Sequence, residues 1–481
     1  MCDETVLKQL FRKKFGFEAE TILPLRQSGS NRKYYRLNSQ GQTAIGTYGC
    51  DVHENRVFFY MNSLMQKQSI KVPLLYLVSD CEHYYLQEDI GDVSLFSVLS
   101  QYHSDGVFYN TEIESFFRAA IENLVRIQQS LTPVTDFSKC YPYSEFGMES
   151  VLFDMRYFVF YFAKIFDIGF NEMALEKEFQ TFAGSIVTSG DRCFMYRDFQ
   201  SRNIFIHNDS LCFIDYQGAR LGVPQYDLAS LLYQAKALLP EQNRRELLEY
   251  YLDVAGLCAD SKRSEFRLKF YRVLCLRMMQ TLGAYGLRGI IEQKAHFLQS
   301  IPAAIFNLST MLPLFGIDRD FPEMHNLLMR VCAIDEIERG YQNGKLQVLV
   351  YSFSYKKGAP RDYSGNGGGF QFDCRGINNP GKHEAFTMLT GMDLEVQDYL
   401  KRNTNADSFV ELAFEMVKHN IDTYLDRGFS RLMIGFGCTG GRHRSVYCAE
   451  QLAAVIAQKY STSNIELVLW HKEQHKRRQL L

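Results

Sequence analysis

The chain has 481 residues, a formal net charge of −2, 46% hydrophobic and 22% charged residues. That is the ordinary balance of a globular protein with material for two to four domains. Its twelve cysteines are scattered with no C-x-x-C pair, which argues against a zinc site and against a disulfide framework, and for a reducing compartment.

The start, Met1-Cys2-Asp3-Glu4-Thr5-Val6-Leu7-Lys8, is charged and lacks the apolar core of a signal peptide. Residues 4–15 are expected to form a helix ahead of a small, mainly β lobe. Its strands are read at Ile22-Leu23-Pro24-Leu25, Tyr34-Tyr35-Arg36-Leu37, Thr43-Ala44-Ile45-Gly46 and Tyr84-Tyr85-Leu86-Gln87, with a helix over 54–66. From about 93 to 316 the spacing is mostly helical, over 113–130, 149–166, 225–239, 244–254 and 262–285. The greasiest stretch, 157–166, is interrupted by Lys164 and too short to span a bilayer. A cytoplasmic protein with no membrane contact is the expectation. Residues 324–340 read as a connecting helix. After Gly344 strands (346–355, 370–373, 431–436, 465–470) alternate with helices (409–427, 445–460), which implies an α/β layer structure. The boundaries expected are 1–92 and 93–320 for the two lobes of a first domain, 321–344 for a linker helix and 345–481 for a second domain. Residues 345–481 carry 18 Lys+Arg against 14 Asp+Glu, or +4, and the remainder 35 against 41, or −6. The two parts are therefore expected to meet different partners.

The run Tyr196-Arg197-Asp198-Phe199-Gln200-Ser201-Arg202-Asn203, followed by Asp215-Tyr216-Gln217, carries the first chemistry. Phosphoryl transfer from a magnesium nucleotide needs a carboxylate to receive the proton of the accepting hydroxyl. It also needs an amide oxygen and a second carboxylate to hold the metal. Kinases place the first two as Asp-x4-Asn on one loop and the second Asp a short hairpin later. The spacing from Asp198 to Asn203 fits. Between Asn203 and Asp215, the apolar runs Ile204-Phe205-Ile206 and Leu211-Cys212-Phe213-Ile214 flank the turn His207-Asn208-Asp209, so a hairpin would bring both metal-binding positions to one end. A polar loop beside a hairpin is the bland alternative, and it leaves the agreement of three functional residues with the strand pattern unexplained.

With Pro224-Gln225-Tyr226-Asp227-Leu228 and Leu86-Gln87-Glu88-Asp89-Ile90-Gly91-Asp92, the span of roughly 15–320 resembles the aminoglycoside phosphotransferase-like kinases. Among these it looks like the AmgK type, anomeric kinases of N-acetylmuramate and N-acetylglucosamine. The resemblance implies an α+β protein-kinase-like two-lobed fold followed by a separate α/β domain, with ATP and Mg²⁺ as cofactors. It makes Asp198 the catalytic base and Asn203 and Asp215 the metal ligands. The turn Ser28-Gly29-Ser30-Asn31-Arg32 would cover the phosphates with backbone N–H groups, and Gln87-Glu88-Asp89 would be the hinge that pairs with adenine. A plain hairpin turn and an ordinary strand exit are the alternatives for those two segments. Arg202 and Gln217 border the hydroxyl site and either contact the sugar or brace the loop. Asp227 is expected to be a structural helix cap. Two departures stand out: Tyr196 replaces the usual His, and the strand Thr43-Ala44-Ile45-Gly46-Thr47-Tyr48 has no phosphate-binding lysine. Glu54 then lacks its usual partner, and Arg32, Lys33 and Arg36 are the neighbouring cations.

A second site lies at Gly435-Phe436-Gly437-Cys438-Thr439-Gly440-Gly441-Arg442-His443-Arg444-Ser445, between an apolar strand and a helix. Glycines that let N–H groups converge, a helix N-terminus and three basic side chains make an anion site, most naturally for phosphate. It is not a Walker A loop, because Gly441 stands where the lysine belongs. Cys438-x5-Arg444-Ser445 also meets the spacing of a cysteine phosphatase loop, although Gly437 replaces the preceding His. With Ser352-Phe353-Ser354-Tyr355, Phe372-Asp373-Cys374-Arg375, Asn379-Pro380-Gly381, Leu389-Thr390-Gly391-Met392-Asp393, His471 and His475, the span 346–480 resembles the C-terminal domain of RapZ-type proteins. That resemblance implies a sugar-phosphate site at Cys438, Thr439, Gly440, Gly441, Arg442, His443, Arg444 and Ser445. Small RNA is another partner of that family. Here only His475-Lys476-Arg477-Arg478 speaks for RNA, and a short cationic helix end is more often solvated. The expectation is an ATP-dependent amino-sugar kinase joined to a sugar-phosphate-binding module. The alternatives are a non-catalytic regulator binding sugar phosphate and RNA, and a phosphatase at Cys438.

Overall fold

The computed structural model describes residues 3–25, 32–187, 190, 192–334, 345–364 and 368–481. They form two compact units, Met1–Ala284 with Ala303–Cys332 and Tyr285–Pro302 with Ala333–Leu481.

The first unit opens with α1 (Asp3–Phe15) and a five-stranded antiparallel sheet of order β1-β2-β3-β5-β4. Its strands are β1 (Thr21–Pro24), β2 (Lys33–Ser39), β3 (Gln42–Tyr48), β4 (Leu75–Val78) and β5 (Tyr84–Glu88), and α2 (Val52–Lys67) follows β3. Leu7, Leu10 and Phe11 of α1 pack on Leu37, Ala44 and Leu86, one face of the sheet. Gly46 permits that approach: a Cβ there would lie 2.8 Å from Leu37 and 3.0 Å from Leu7.

The helices α3 (Leu95–Ser104), α4 (Thr111–Leu131), α5 (Met148–Phe158) and α6 (Glu172–Val187) come next. Short strands β6 (Cys193–Met195), β7 (Ile204–His207), β8 (Ser210–Phe213) and β9 (Arg220–Gly222) follow, then α7 (Pro224–Leu232), α8 (Glu241–Val254) and α9 (Asp260–Tyr285). β7 pairs with β8 and β6 with β9, both antiparallel. The helix expected over 225–239 ends at Leu232. A short 3₁₀ turn follows, and Leu238 then adopts a left-handed backbone. α10 (Ala295–Leu298), α11 (Ile301–Met311) and α12 (Pro322–Cys332) are the remaining α-helices before residue 345 among the described residues. The expected helix over 324–340 is described only to Cys332, and its remainder from 335 lies outside the described residues. Among the described residues one stretch, Ala295–Leu314, is long and apolar enough to cross a membrane, and half of it is buried in the protein.

The second unit holds β10 (Leu346–Ser354), β11 (Gly369–Asp373), α13 (Leu394–Asn403), α14 (Ala406–Asp426), β12 (Arg431–Cys438), α15 (Arg444–Lys459), β13 (Ile465–His471) and β14 (Lys476–Gln479). The sheet order is β11-β12-β10-β13-β14, parallel except for β14. Every residue of β10 and β12 is buried, as a parallel sheet covered on both faces requires. The tail read as a cationic helix end is instead the edge strand β14, fully exposed. Its positive side chains guard an open edge against pairing. Tyr285–Pro302 belongs to this unit although sequence pattern assigns it to the first. Gln299 Nε2 donates to the Ser364 carbonyl at 2.6 Å.

Candidate functional site

In the first unit β6 delivers Tyr196 to a loop whose geometry is set from three sides. Asp227, in the first turn of α7, accepts hydrogen bonds from the backbone N–H of Tyr196 and of Arg197, both at 2.7 Å. It therefore caps the loop rather than its own helix. Burial pushes its carboxyl up to about 7, against the two backbone donors. The Tyr196 hydroxyl donates to the Ile214 carbonyl at 2.6 Å, tying the loop to the strand that leads to Asp215. Ser201 donates through N and Oγ to Gln234 Oε1 at 3.1 and 2.6 Å. Arg197 and Asp215 both have positive φ, 78° and 70°, local strain of the kind that gathers at functional sites.

The β7–β8 hairpin turns at Asn208 and Asp209, both left-handed with φ of 49° and 54°, as a two-residue hairpin turn requires. It brings Asn203 and Asp215 together: Asn203 Nδ2 donates to the Asp198 carbonyl at 2.8 Å and to Asp215 Oδ2 at 3.2 Å. Gln217 Nε2 donates to Asp215 Oδ1 at 2.8 Å, so Gln217 braces a carboxylate. Arg202 is exposed, and its charge acts on Asp215. Burial raises the Asp215 pKa, and the nearby Asp198 charge raises it further.

Residues that sequence pattern did not single out surround Asp198. Arg277 of α9 places Nη2 3.9 Å from Asp198 Oδ1 and donates through Nε to Ser230 Oγ at 3.0 Å. Asp154 of α5 is buried, and burial lifts its carboxyl to about 6 despite the charges of Arg197, Arg277 and Arg220. The available signal was a charge inside the apolar run Cys275-Leu276-Arg277-Met278-Met279, since an unpaired buried arginine is rare. Of the nucleotide-site residues, Ser28, Gly29, Ser30 and Asn31 lie outside the described residues. Gln87 and Glu88 end β5, paired with Ile45 and Ala44 of β3, and Asp89 Oδ1 accepts from Arg36 Nη2 at 3.1 Å within an ion pair. Glu54 is partnered after all, by Arg32 at 3.5 Å.

The Mg²⁺ site expected here fits the donor set. Asn203 spends Nδ2 as a donor, leaving its oxygen, and the Asp215 carboxylate supplies hard oxygen beside it. Among the described residues no group of three or more His, Cys, Asp or Glu could cage a metal.

In the second unit the ends of β10 and β12 adjoin, Ser354 opposite Cys438, and Ser354 Oγ donates to the Thr439 carbonyl at 2.7 Å. The turn after Cys438 leads into α15 at Arg444, with Thr439 and Gly440 exposed. Cys438 Sγ lies 3.1 Å from Ser445 Oγ and accepts from the Gly441 N–H at 3.2 Å. Burial pushes the thiol up, but these bonds and others from the backbone of Ser445 and Arg442 hold it below its ordinary value. The three basic side chains are committed differently from expectation. Arg442 donates to the carbonyls of Leu389 and Met388 at 3.0 and 2.6 Å. His443 Nε2 lies 3.0 Å from the Phe386 carbonyl. Arg444 Nη1 donates to the Arg375 and Ile377 carbonyls at 3.0 and 2.9 Å, while its Nε is buried without a hydrogen-bond partner.

Residues 21–267 match the sequence model of the phosphotransferase enzyme family, half of the chain, and residues 346–475 match the RapZ C-terminal domain. The chain belongs to the phosphotransferase enzyme family. Its fold is a kinase-like phosphotransferase fold followed by a separate RapZ-like α/β domain. It is 41% identical over 126 residues to a nucleotide-binding protein of Dinoroseobacter shibae, covering 26% of this chain and 40% of that one. It is 37% identical over 118 residues to one of Thermotoga neapolitana, covering 24% and 40%. The chain thus spans about 40% of the length of these curated relatives. Solved structures of similar form include the choline kinase LicA from Streptococcus pneumoniae, 15% identical over 64% of this chain and 99% of that one, with a TM-score of 0.43. A Plasmodium vivax ethanolamine kinase is 12% identical over 61% and 83%, with a TM-score of 0.45.

Proposed function

We propose that the first unit transfers the terminal phosphoryl group of ATP to a hydroxyl of an amino sugar. The anomeric hydroxyl of N-acetylglucosamine or N-acetylmuramate is the favoured acceptor, by resemblance to the AmgK type. The observation that carries the reading is the convergence of Asp198, Asn203 and Asp215 on one end of the β7–β8 hairpin. Asp198 accepts the proton as the acceptor oxygen attacks the γ-phosphorus in line, and the nucleotide's β-phosphate oxygen leaves. Arg277 holds Asp198 in place from behind. Asn203 and Asp215 hold Mg²⁺, which when bound neutralises charge on the phosphates. Gln217 fixes the orientation of Asp215. Arg202 stands at the acceptor side. Ser28, Gly29, Ser30, Asn31 and Arg32 cover the phosphates, and Gln87, Glu88 and Asp89 receive adenine.

The second unit binds a sugar phosphate, as sensor or product partner, at the loop from Cys438 to Ser445. The motive is a loop of Thr439, Gly440 and Gly441 opening a long helix, with Arg444 Nε unsatisfied beside it. The depressed Cys438 thiol favours a second reading of this loop, a phosphomonoesterase. Small RNA finds less support, in the exposed β14 alone. A ³¹P-NMR screen of amino sugars with the full chain and Mg·ATP tests the primary reading and reports the position phosphorylated. Turnover of none of the hexosamines overturns it. Release of phosphate from p-nitrophenyl phosphate, lost in Cys438→Ser, moves the second unit to the phosphatase.

A further inference from the structure

β3, Gln42–Tyr48, carries no lysine, yet the first unit has a cation beside the helix carboxylate that such a lysine would meet. Of the three basic residues near it, two are occupied elsewhere. Arg36 bridges Asp89 and Asp92, each at 2.8 Å. Lys33 is exposed, with its ammonium 5.4 Å above the Tyr48 ring. Arg32 alone turns inward. Its side chain is 4% exposed, its Nη2 lies 3.5 Å from Glu54 Oε1 and 3.3 Å from Asn55 Oδ1, and its guanidinium sits 5.7 Å over the Phe58 ring. Glu54 is itself held: Asp51 caps α2 by accepting from the N–H of His53 and of Glu54. The charge of Arg32 also reaches Asp215, where it opposes the upward shift that burial imposes. One side chain thus pairs with the helix carboxylate and lies within electrostatic range of Asp215.

We propose that the Arg32 guanidinium takes the place of the phosphate-holding lysine and binds the α- and β-phosphates of the nucleotide, braced by Glu54. This rests on the kinase reading above and adds to it a cation entering from β2's leading end instead of from β3. Chemistry favours an arginine for the task from this position. A guanidinium can meet a carboxylate through one nitrogen and a phosphate oxygen through another, whereas an ammonium has a single nitrogen for both. It also stays charged when buried, which a lysine does not always do.

The test is calorimetric titration of the full chain with ADP and with adenosine, in wild type, Arg32→Met and Arg32→Lys, with melting temperatures recorded. Wild type should bind ADP more tightly than adenosine. Arg32→Met should lose about tenfold or more for ADP and less than twofold for adenosine. Arg32→Lys keeps the charge but not the fork, so a smaller loss confined to ADP is expected. ADP affinity unchanged in either variant overturns the assignment. So does an equal loss for adenosine and ADP, which would make the Arg32–Glu54 pair a brace for the lobe. If Arg32→Met fails to fold, Arg32→Lys decides by the same criterion. A wild-type chain that binds neither ADP nor ATP overturns the kinase reading itself, and Arg32 with it.

Discussion

Asp198 and Asp215 sit in one cleft, and their neighbours give them different tasks. Asp198 faces Arg277 and is 35% exposed, open to an incoming hydroxyl. Asp215 is half-buried under hydrogen bonds from Asn203 and Gln217 and is suited to a metal ion. Asp198→Ala is expected to reduce phosphoryl transfer by about two to four orders of magnitude with ADP affinity unchanged. Initial rates and titration on the same preparation check this, and a near-wild-type kcat would remove Asp198 from the mechanism. Asp215→Ala should raise the Mg²⁺ needed for half-maximal rate more than Asn203→Ala does, because a carboxylate holds the ion with formal charge. Superimposable Mg²⁺ activation curves for wild type and Asp215→Ala would refute the pairing. Asp154 gives a pH test. Its folded pKa, about 6, lies above the unfolded carboxylate value of about 3.9, so the folded state binds the extra proton between the two. The stability this confers is present below about pH 4 and is lost as pH rises through about 6, on the order of 2–3 kcal/mol in all. Asp154→Asn cannot ionise and escapes that loss. It should melt higher than wild type at pH 7.5 and equally at pH 4. Greater destabilisation at pH 7.5 than at pH 4 would mean that attraction to Arg197, Arg277 and Arg220 outweighs burial.

At the scale of elements, what could be read from sequence was what local pattern determines. The β7–β8 hairpin was legible because two short apolar runs flank the turn at Asn208-Asp209, and its register then fixes where Asn203 and Asp215 stand. The buried strands of the second unit were legible as continuous apolar runs. Elements held by tertiary partners were not. Asp227 looks like an ordinary helix-start residue, and its hold on the Tyr196–Arg197 backbone exists only when α7 and β6 pack. α7 stops early, and Gln234 just beyond it turns to Ser201, a partner 33 residues away. β14 was unreadable because a strand of Lys, Arg, Arg and Gln has no apolar alternation. The basic run Arg442-His443-Arg444 was read as a set of phosphate donors, but the sequence could not show that carbonyls between 375 and 389 hold all three side chains. Gly441 belongs to this scale too. It has φ of 64°, and a Cβ there would lie 2.5 Å from Glu473 Cγ and 2.9 Å from the Ser354 backbone nitrogen. Gly441→Ala should therefore destabilise the second unit by about 1–3 kcal/mol, seen as a lower melting transition. An unchanged transition would show that the β10 end can yield.

Taken whole, the chain carries an acidic body of net −6 up to residue 344 and a C-terminal part of net +4 from 345. A positive field on the second unit favours an anionic ligand there and does nothing for a neutral sugar. The full chain is therefore expected to bind a hexosamine phosphate without ATP, and the loop at Cys438 to discriminate strongly against the free hexosamine. Two sites could take such a ligand, the acceptor cleft at Asp198 and the loop at Cys438, and paired variants separate them. Asp198→Ala should leave the affinity unchanged. Arg444→Met should lower it about tenfold, because Nε is the buried donor with no partner of its own and a charged contact to phosphate goes with it. Arg444 also holds the carbonyls of Arg375 and Ile377, so Arg444→Lys, which keeps a cation near both, serves as a control for folding. Cys438→Ser should bind almost as wild type if the loop is a sensor, since a hydroxyl can accept from the Gly441 N–H as the sulfur does. Calorimetry of each variant with the sugar and its phosphate reads out all four. Equal affinity for the two ligands in wild type would end the phosphate-site reading. Loss of binding in Asp198→Ala with none in Arg444→Met would move the ligand to the first unit.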